Sequence, residues 1–234
     1  MKDGSTYICK TCACASFSVF KTLNDEEHEL LNSKIKCNHY KKGDILYREG
    51  SRITGCYCIQ KGVLKIYKTG VDEKPQIITF ARTGDITGYR SVLSNEMACT
   101  TVEALEDSQI CFIPSDIIFS LIKKNSDFAL SLIQLTCKEL NQANSFIKDI
   151  AQKTVRERLA EILLMLSNTF NLDNEGYISI NLTREDLSSI VGTATESVIR
   201  ILSEFKSEGL LELKGKKIKI LDMKKMKLIS DSIF

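Results

Sequence analysis

A chain of 234 residues that is 43% hydrophobic and 26% charged has the composition of a folded protein of one large or two ordinary domains, which excludes extended disorder. Its 32 basic and 30 acidic side chains leave a net charge of +2, so any recognition of a polyanion must rest on a local patch. The longest apolar runs, such as Ile162 to Leu166, are far too short for a membrane span, and MKDGSTYICK lacks the apolar core of a signal peptide; the expected location is the cytoplasm, with no membrane partner. Nine cysteines in that compartment are expected to be reduced core residues, metal ligands or redox thiols rather than structural disulfides, and the odd count argues against complete pairing.

Residues 1–22 read as a cysteine-containing arm, with Cys9, Cys12 and Cys14 in a C-x2-C-x-C arrangement. Residues 23–126 read as a sensor domain. From Tyr40 to Pro114 short strands alternate with glycine turns, in KKGDILYREG, GCYCIQKG, VLKIYKTG, PQIITFARTGD and DSQICFIP, the pattern of a β-roll or jelly roll. Cys56 and Cys58 lie at strand spacing on one face and, with Cys37, Cys99 and Cys137, are read as structural. His28 and His39 are isolated, expected as surface residues rather than ligands. No Ser-His-Asp set, paired catalytic carboxylates or phosphate loop occurs, so no enzyme is expected.

After Pro114 the period becomes helical. Within residues 127–150, Ala129, Ile133, Thr136, Leu140, Ala143, Ile147 and Ile150 recur at steps of 4, 3, 4, 3, 4 and 3, a heptad seam suited to a homodimer helix. Phe128, Leu132 and Leu135 fall on a neighbouring stripe that can clamp the helix to its own domain. The alternative for the seam is intramolecular core. A hinge is expected near Asp149 to Val155, after which RERLAEILLMLSNTF, with Leu159, Ile162, Leu163 and Leu166, begins a domain over residues 151–234.

The last segment, Leu182 to Asp222, predicts two short helices, a tight turn and a hairpin: a winged helix-turn-helix. Thr183 followed by Asp186 is an Asp version of the capping box, Gly192 permits the sharp turn, and Thr193 or Thr195 can cap a second helix from about Ala194. Val198, Ile201, Leu202 and Phe205 form its inner face and Thr195, Glu196, Ser197 and Arg200 its outer one. Gly209 ends it, and strands 210–213 and 218–221 join around Lys214-Gly215-Lys216. Lys206, Lys214, Lys216, Lys217, Lys219, Lys224, Lys225 and Lys227 outnumber the nearby acids, which suits a phosphate backbone.

TREDLSSIVGTATESVIRIL, together with the glycine order of the strands, resembles the CRP/FNR family of bacterial transcription regulators from about Leu23 to Asp222. The resemblance implies an α+β chain: an N-terminal cyclic-nucleotide-binding-like β-roll, a long dimerisation helix and a C-terminal winged helix that reads a palindromic double-stranded DNA operator and works with RNA polymerase. It places Glu196 and Arg200 at base-reading positions, consistent with a carboxylate accepting from cytosine and a guanidinium bonding guanine. Thr183 and Arg184 match phosphate-holding positions, and Thr193, Thr195, Ser197 and Lys216 complete the expected DNA surface. The cAMP-binding branch has an Arg where Thr195 stands here, so its DNA code is not transferred.

The segment GDITGYRSVLSNEMACTTVEA corresponds to the family's effector pocket, giving Gly84, Asp85, Gly88, Tyr89, Arg90 and Ser91 as candidates. Tyr89 stands where cAMP-binding members have the ribose-holding Glu, and Ala98 where they have the phosphate-holding Arg. A buried cyclic phosphate would lack a cation, and cAMP is not expected to bind. Arg90 either serves another anion or pairs with Glu96 or Glu103. In the FNR branch three N-terminal cysteines and one strand cysteine hold a [4Fe-4S] cluster; Cys9, Cys12 and Cys111 match, whereas the third arm position is Ser18 and Cys14 is displaced by four residues. A cluster, a zinc or thiol-redox role, and no special role all stay open for Cys9, Cys12, Cys14 and Cys111, as does the signal, a small molecule or a redox or gas input. The rival function is a ligand-binding regulatory protein whose winged domain docks on protein, with a thiol-disulfide oxidoreductase on Cys9 and Cys12 more distant.

Overall fold

Eight strands between Lys36 and Pro114 pair antiparallel into two four-stranded sheets. One has the order β1 (Lys36–Tyr40), β8 (Ser108–Pro114), β3 (Gly55–Lys61), β6 (Ile86–Thr87); the other β2 (Ile45–Tyr47), β7 (Thr101–Ala104), β4 (Val63–Thr69), β5 (Pro75–Arg82). Alternation decides the packing. Leu64 and Ile66 on β4 and Val102 on β7 meet Ile59 on β3 and Ile110 on β8 between the sheets, so the β-roll has an apolar interior of its own. The opposite face of the first sheet carries Cys56, Cys58 and Ile113, the base of a second core. Gly55 is needed where β3 meets β8, because a Cβ there would stand 2.2 Å from the Ile113 carbonyl. Strands β1, β6 and β7 were not visible as alternating runs.

This is a computed structural model that describes residues 19–70 and 73–231; Cys9, Cys12 and Cys14 lie outside them. The chain divides into two units, residues 1–140 and 141–234. In the first, a 3-10 turn (Val19–Thr22) and the helices α1 (Asp25–Lys34), α2 (Tyr89–Ser94), α3 (Ser115–Lys124) and the start of α4 (Ser126–Gln152) cover the second core. Phe20, Leu31, Ile118, Leu121 and Phe128 are fully buried there, with the Phe20 and Phe128 rings stacked at 5.7 Å. Asn125 is the joint. Its Oδ1 accepts from the Phe128 N–H at 2.9 Å to cap α4, while its Nδ2 donates to the Thr22 carbonyl and to Glu27 Oε2 at 3.1 and 2.8 Å.

Helix α4 is continuous over 27 residues. Phe128 and Leu132 are buried in the second core and Leu135 packs beside them, the clamp expected from the stripe. Its other side is bare: Ile133, Leu140 and Ile147 are 58%, 60% and 65% exposed, Ile150 is 47% exposed, and Thr136 and Ala143 are exposed with them. The seam is therefore not intramolecular core. No helix among the described residues is long and apolar enough to cross a membrane.

Two cysteine expectations are corrected. Cys37 lies directly opposite Cys111 in the β1–β8 register, and the two form a disulfide closing a span of 74 residues, where reduced thiols and no structural disulfide were expected; of the readings left open for Cys111, the structure shows it bonded to Cys37. A pairing of residues so distant in sequence depends on register, which spacing does not reveal. Cys99 and Cys137 are exposed rather than structural, whereas Cys56 and Cys58 are buried as expected, with the Cys56 thiol pushed up to about 12 by burial. His28, expected at the surface, is buried, because its helix turns that side under the β-roll.

The second unit comprises the end of α4, then α5 (Val155–Phe170), α6 (Arg184–Val191), α7 (Thr195–Ser207), the hairpin β9 (Leu211–Lys214) and β10 (Lys217–Ile220), and α8 (Met223–Ser230). Thr154 and Glu157 form a capping box that starts α5 within the expected hinge. Helix α8, not foreseen, packs on α5 and buries Met226.

The disulfide makes a stability prediction. Cys37→Ser, Cys111→Ser and the double variant should each lower stability by about 2–4 kcal/mol relative to the oxidised chain, and all by the same amount, since each removes one bond. Denaturant unfolding with and without reductant measures this; the reductant should erase the difference.

Candidate nucleic-acid interface

The geometry of α7 follows from what it buries. Val198 and Phe205 are wholly buried and Ile201 and Leu202 nearly so, in a helix that packs on α6 and α5, where Leu187, Ile190, Val191, Leu159, Leu163 and Leu166 are buried as well. With that stripe inward, Glu196 and Arg200 face solvent, as does Ile199, which is 51% exposed. Thr193, Thr195 and Ser197 are half-buried at the rim.

The turn that delivers α7 rests on named bonds. Thr183 caps α6 in a complete capping box: its Oγ1 accepts from the Asp186 N–H at 3.0 Å, and Asp186 Oδ2 accepts from the Thr183 N–H at 3.0 Å. Gly192 takes a left-handed conformation at φ 71°, and its N–H and that of Thr193 both donate to the Ser188 carbonyl. Contrary to the expectation that Thr193 or Thr195 would cap α7, the N-cap position is Ala194 with no side-chain bond. The Thr195 hydroxyl is instead 3.0 Å from that of Ser188, a bond across the turn. Helix α7 ends at Gly209 as expected, in a Schellman closure with the Leu210 N–H reaching back to the Phe205 carbonyl at 2.9 Å.

Arginines brace the unit. Arg158 donates from Nε to the Val191 carbonyl at 3.0 Å, satisfying a carbonyl at the end of α6 that its own helix leaves open, and from Nη1 to the Lys153 carbonyl at 2.8 Å, just beyond α4. Arg156 lies over the Phe205 ring at 4.5 Å and pairs with Glu204 and Glu208. Neither was singled out from sequence; an Arg in the first turn of an amphipathic helix reads as solvated unless its tertiary neighbours are known. Arg184 is half-buried and donates from Nη2 to the Gly215 carbonyl at 3.1 Å, tying the start of α6 to the wing turn, and burial holds its pKa below the ordinary value.

Arg200 pairs with Glu204, one turn further on, and not with Glu196. The pair is exposed and worth only tenths of a kcal/mol, so the guanidinium can be released to a stronger partner. Lys216 is exposed on the wing turn, whereas Lys214, Lys217 and Lys225 are engaged by Glu175, Asp173 and Asp222.

In the first unit, Gly88, Tyr89, Arg90 and Ser91 line a cavity of about 30 Å³ with Tyr47, Thr87, Thr100 and Glu139 among others. Gly84 and Asp85, expected with them, are spent on the turn between β5 and β6, where Asp85 accepts from the Arg82 N–H at 2.9 Å. Tyr47 and Thr87 share a hydrogen bond of 2.7 Å, and burial lifts the Tyr47 phenol to about 12. Ala98 is buried in the β-roll core. Arg90 pairs with neither Glu96 nor Glu103; its Nε lies 3.3 Å from Glu139 on α4, and Glu103 is taken by Lys65. A hole of this size holds one or two waters. Of the four candidate cluster ligands, Cys9, Cys12 and Cys14 lie outside the described residues, and the sulfur of the fourth, Cys111, is bonded to Cys37; among the described residues no three His, Cys, Asp or Glu side chains are grouped to hold a metal.

Comparison with known proteins agrees with both units. Residues 37–125 match the family model for a cyclic nucleotide-binding domain and residues 157–229 that for a Crp-like helix-turn-helix domain. The fumarate and nitrate reduction regulatory protein of Vibrio cholerae is 28% identical over 224 residues, covering 94% of this chain and 88% of that protein. The transcriptional activator protein FnrA of Stutzerimonas stutzeri is 26% identical, covering 92% and 88%. Among solved structures, FixK2 from Bradyrhizobium japonicum superposes with a TM-score of 0.76 at 23% identity, covering 86% of this chain and 99% of that one. A CRP/FNR-family regulator from Thermus thermophilus gives 0.71 at 24%, covering 84% and 99%. With a cyclic-nucleotide-binding-like roll, a Crp-like helix-turn-helix with its outer face open, and relatives that are regulators rather than enzymes, the chain belongs to the CRP/FNR family of DNA-binding transcription regulators.

Proposed function

We propose that the protein acts in the cytoplasm as a homodimer that reads a palindromic operator, with Glu196 and Arg200 on base edges and Thr183, Arg184, Thr193, Thr195, Ser197 and Lys216 along the backbone. The observation that carries this is the division of α7 into a wholly buried stripe and an open polar face. A carboxylate and a guanidinium one turn apart on such a face suit cytosine N4 and guanine O6 and N7. Arg184 serves doubly, since the nitrogen bound to Gly215 also positions the basic wing. The bound dimer would alter the access of RNA polymerase.

The exposed row Ile133, Thr136, Leu140, Ala143, Ile147 and Ile150 supports dimerisation through α4, because a lone helix gains nothing by leaving four large aliphatic side chains in water. Two copies would set two recognition helices about 34 Å apart, one turn of DNA. The Arg90–Glu139 pair supports a route for the signal: it joins α2, at the cavity, to α4 one residue before Leu140. Whatever moves α2 therefore biases the seam. cAMP is not that signal on this reading, and with Cys111 bonded to Cys37 no step is routed through an iron-sulfur cluster.

Four measurements test these statements. Arg200→Ala should weaken binding to a selected operator by about 10- to 100-fold, the worth of a good bidentate base contact, and binding to random DNA much less; equal losses would remove the base-reading role. Binding should also fall steeply with added salt, by nearly one power per phosphate contacted, whereas a protein-docking winged domain would show no DNA binding to titrate. Leu140→Glu with Ile147→Glu should yield a monomer by sedimentation, with operator affinity reduced to that of a single half-site. Calorimetric titration with cAMP should give no binding heat.

A further inference from the structure

Ile199 is the one large aliphatic side chain on the outer part of α7, and it is 51% exposed within the described structure. Its neighbours in sequence are Val198, fully buried, and Arg200, fully outward, so its placement is set by the same rotation that aims the base-reading pair. At about 100° per residue it lies roughly 60° around the helix from Glu196 and one turn along, on the flank away from Glu204. By helical spacing its outer neighbours on that flank are Thr195, Glu196, Ser203 and Lys206, all polar, with the buried Leu202 on its inner side. Ile is a poorer helix former than the polar residues that would serve a merely solvated face, and its branched Cβ holds the side chain stiff.

A rigid aliphatic group set beside a carboxylate and a guanidinium matches one feature of duplex DNA. The thymine C5-methyl is the only apolar group displayed in the major groove, alongside the donors and acceptors that Glu196 and Arg200 address. We propose that Ile199 is a specificity-determining residue that packs on a thymine methyl in each half-site. The proposal rests on the DNA-reading role of α7 given above and adds to it a base that hydrogen bonds cannot select. The contact excludes water from a methyl group and an Ile side chain. Burying one methyl-sized group is worth about a fourfold change in affinity per half-site, and so about fifteenfold for a palindrome with both sites filled.

Uracil in place of thymine deletes that methyl and nothing else, which makes the test direct. Operators are first selected from random duplex DNA with the full-length protein, and each thymine is then replaced by deoxyuridine in both half-sites, with affinity measured by fluorescence anisotropy at one salt concentration. One position should show the fifteenfold loss. At that position Ile199→Ala and Ile199→Ser should bind thymine and uracil operators equally, each close to the wild-type affinity for uracil, while unfolding at the wild-type temperature because the residue is exposed. The proposal is overturned if no thymine is sensitive, or if the variants keep the full uracil penalty, as they would were Ile199 a contact for another protein. Failure to select any sequence would instead overturn the DNA-reading function, a result distinguishable from loss of the methyl contact alone.

Discussion

Burial of Val198, Ile201, Leu202 and Phe205 is the constraint on which the rest of the molecule's chemistry depends. Four side chains at helical spacing, buried against α5 and α6, contribute on the order of 1.5–3 kcal/mol each and leave α7 no freedom to rotate. Rotation by one residue would turn Glu196 and Arg200 toward the rim and bring Ile199 under the helix. The polar face is thus a consequence of the apolar one, and the turn bonds of Ser188, Gly192 and Arg158 keep the helix from sliding along its axis. A recognition surface must be stiff if base edges are to be discriminated, and its stiffness comes from a core that touches no ligand.

Helix α4 shows the same logic with a different outcome. Its first two turns are held by Phe128, Leu132 and the Asn125 cap, and the side turned away from that core carries aliphatic residues with nothing upon them. Thr136 and Ala143 interrupt the row with a polar and a small group, so the dimer proposed through it would be held weakly. A weak interface would suit a switch. The Arg90–Glu139 pair sits where the cavity and the seam meet. Because both partners are partly solvated, the pair is weak and can be exchanged for another contact at small cost.

The cysteines divide by environment. Cys58, Cys111 and Cys37 stand side by side across β3, β8 and β1, and the Cys37–Cys111 bond forms where the row reaches the edge strand. Directly opposed residues of neighbouring antiparallel strands bring their side chains within bonding reach once the register is set. Composition pointed to a reducing compartment and no structural disulfide; the sheet register placed two sulfurs together regardless of that expectation.

Local signals in the chain were sufficient for the parts whose stability is local. The Thr183–Asp186 box, the Gly209 closure, the inner stripe of α7 and the heptad row of α4 involve residues three to seven apart, so their spacing reveals them directly. Five of the eight strands of the roll were legible for the same reason, whereas β1, β6 and β7 are too short or too irregular to alternate. What depends on residues brought together from afar was decided only by the tertiary structure: Cys37 against Cys111, Arg90 against Glu139, Arg158 under the helix-turn-helix, the burial of His28, and the cavity of about 30 Å³ beside Tyr89. Ile199 lies between the two classes. Its apolar character was plain from the sequence, but only packing established that the helix turns it outward, since a residue type states what a side chain prefers and the fold determines what it can reach.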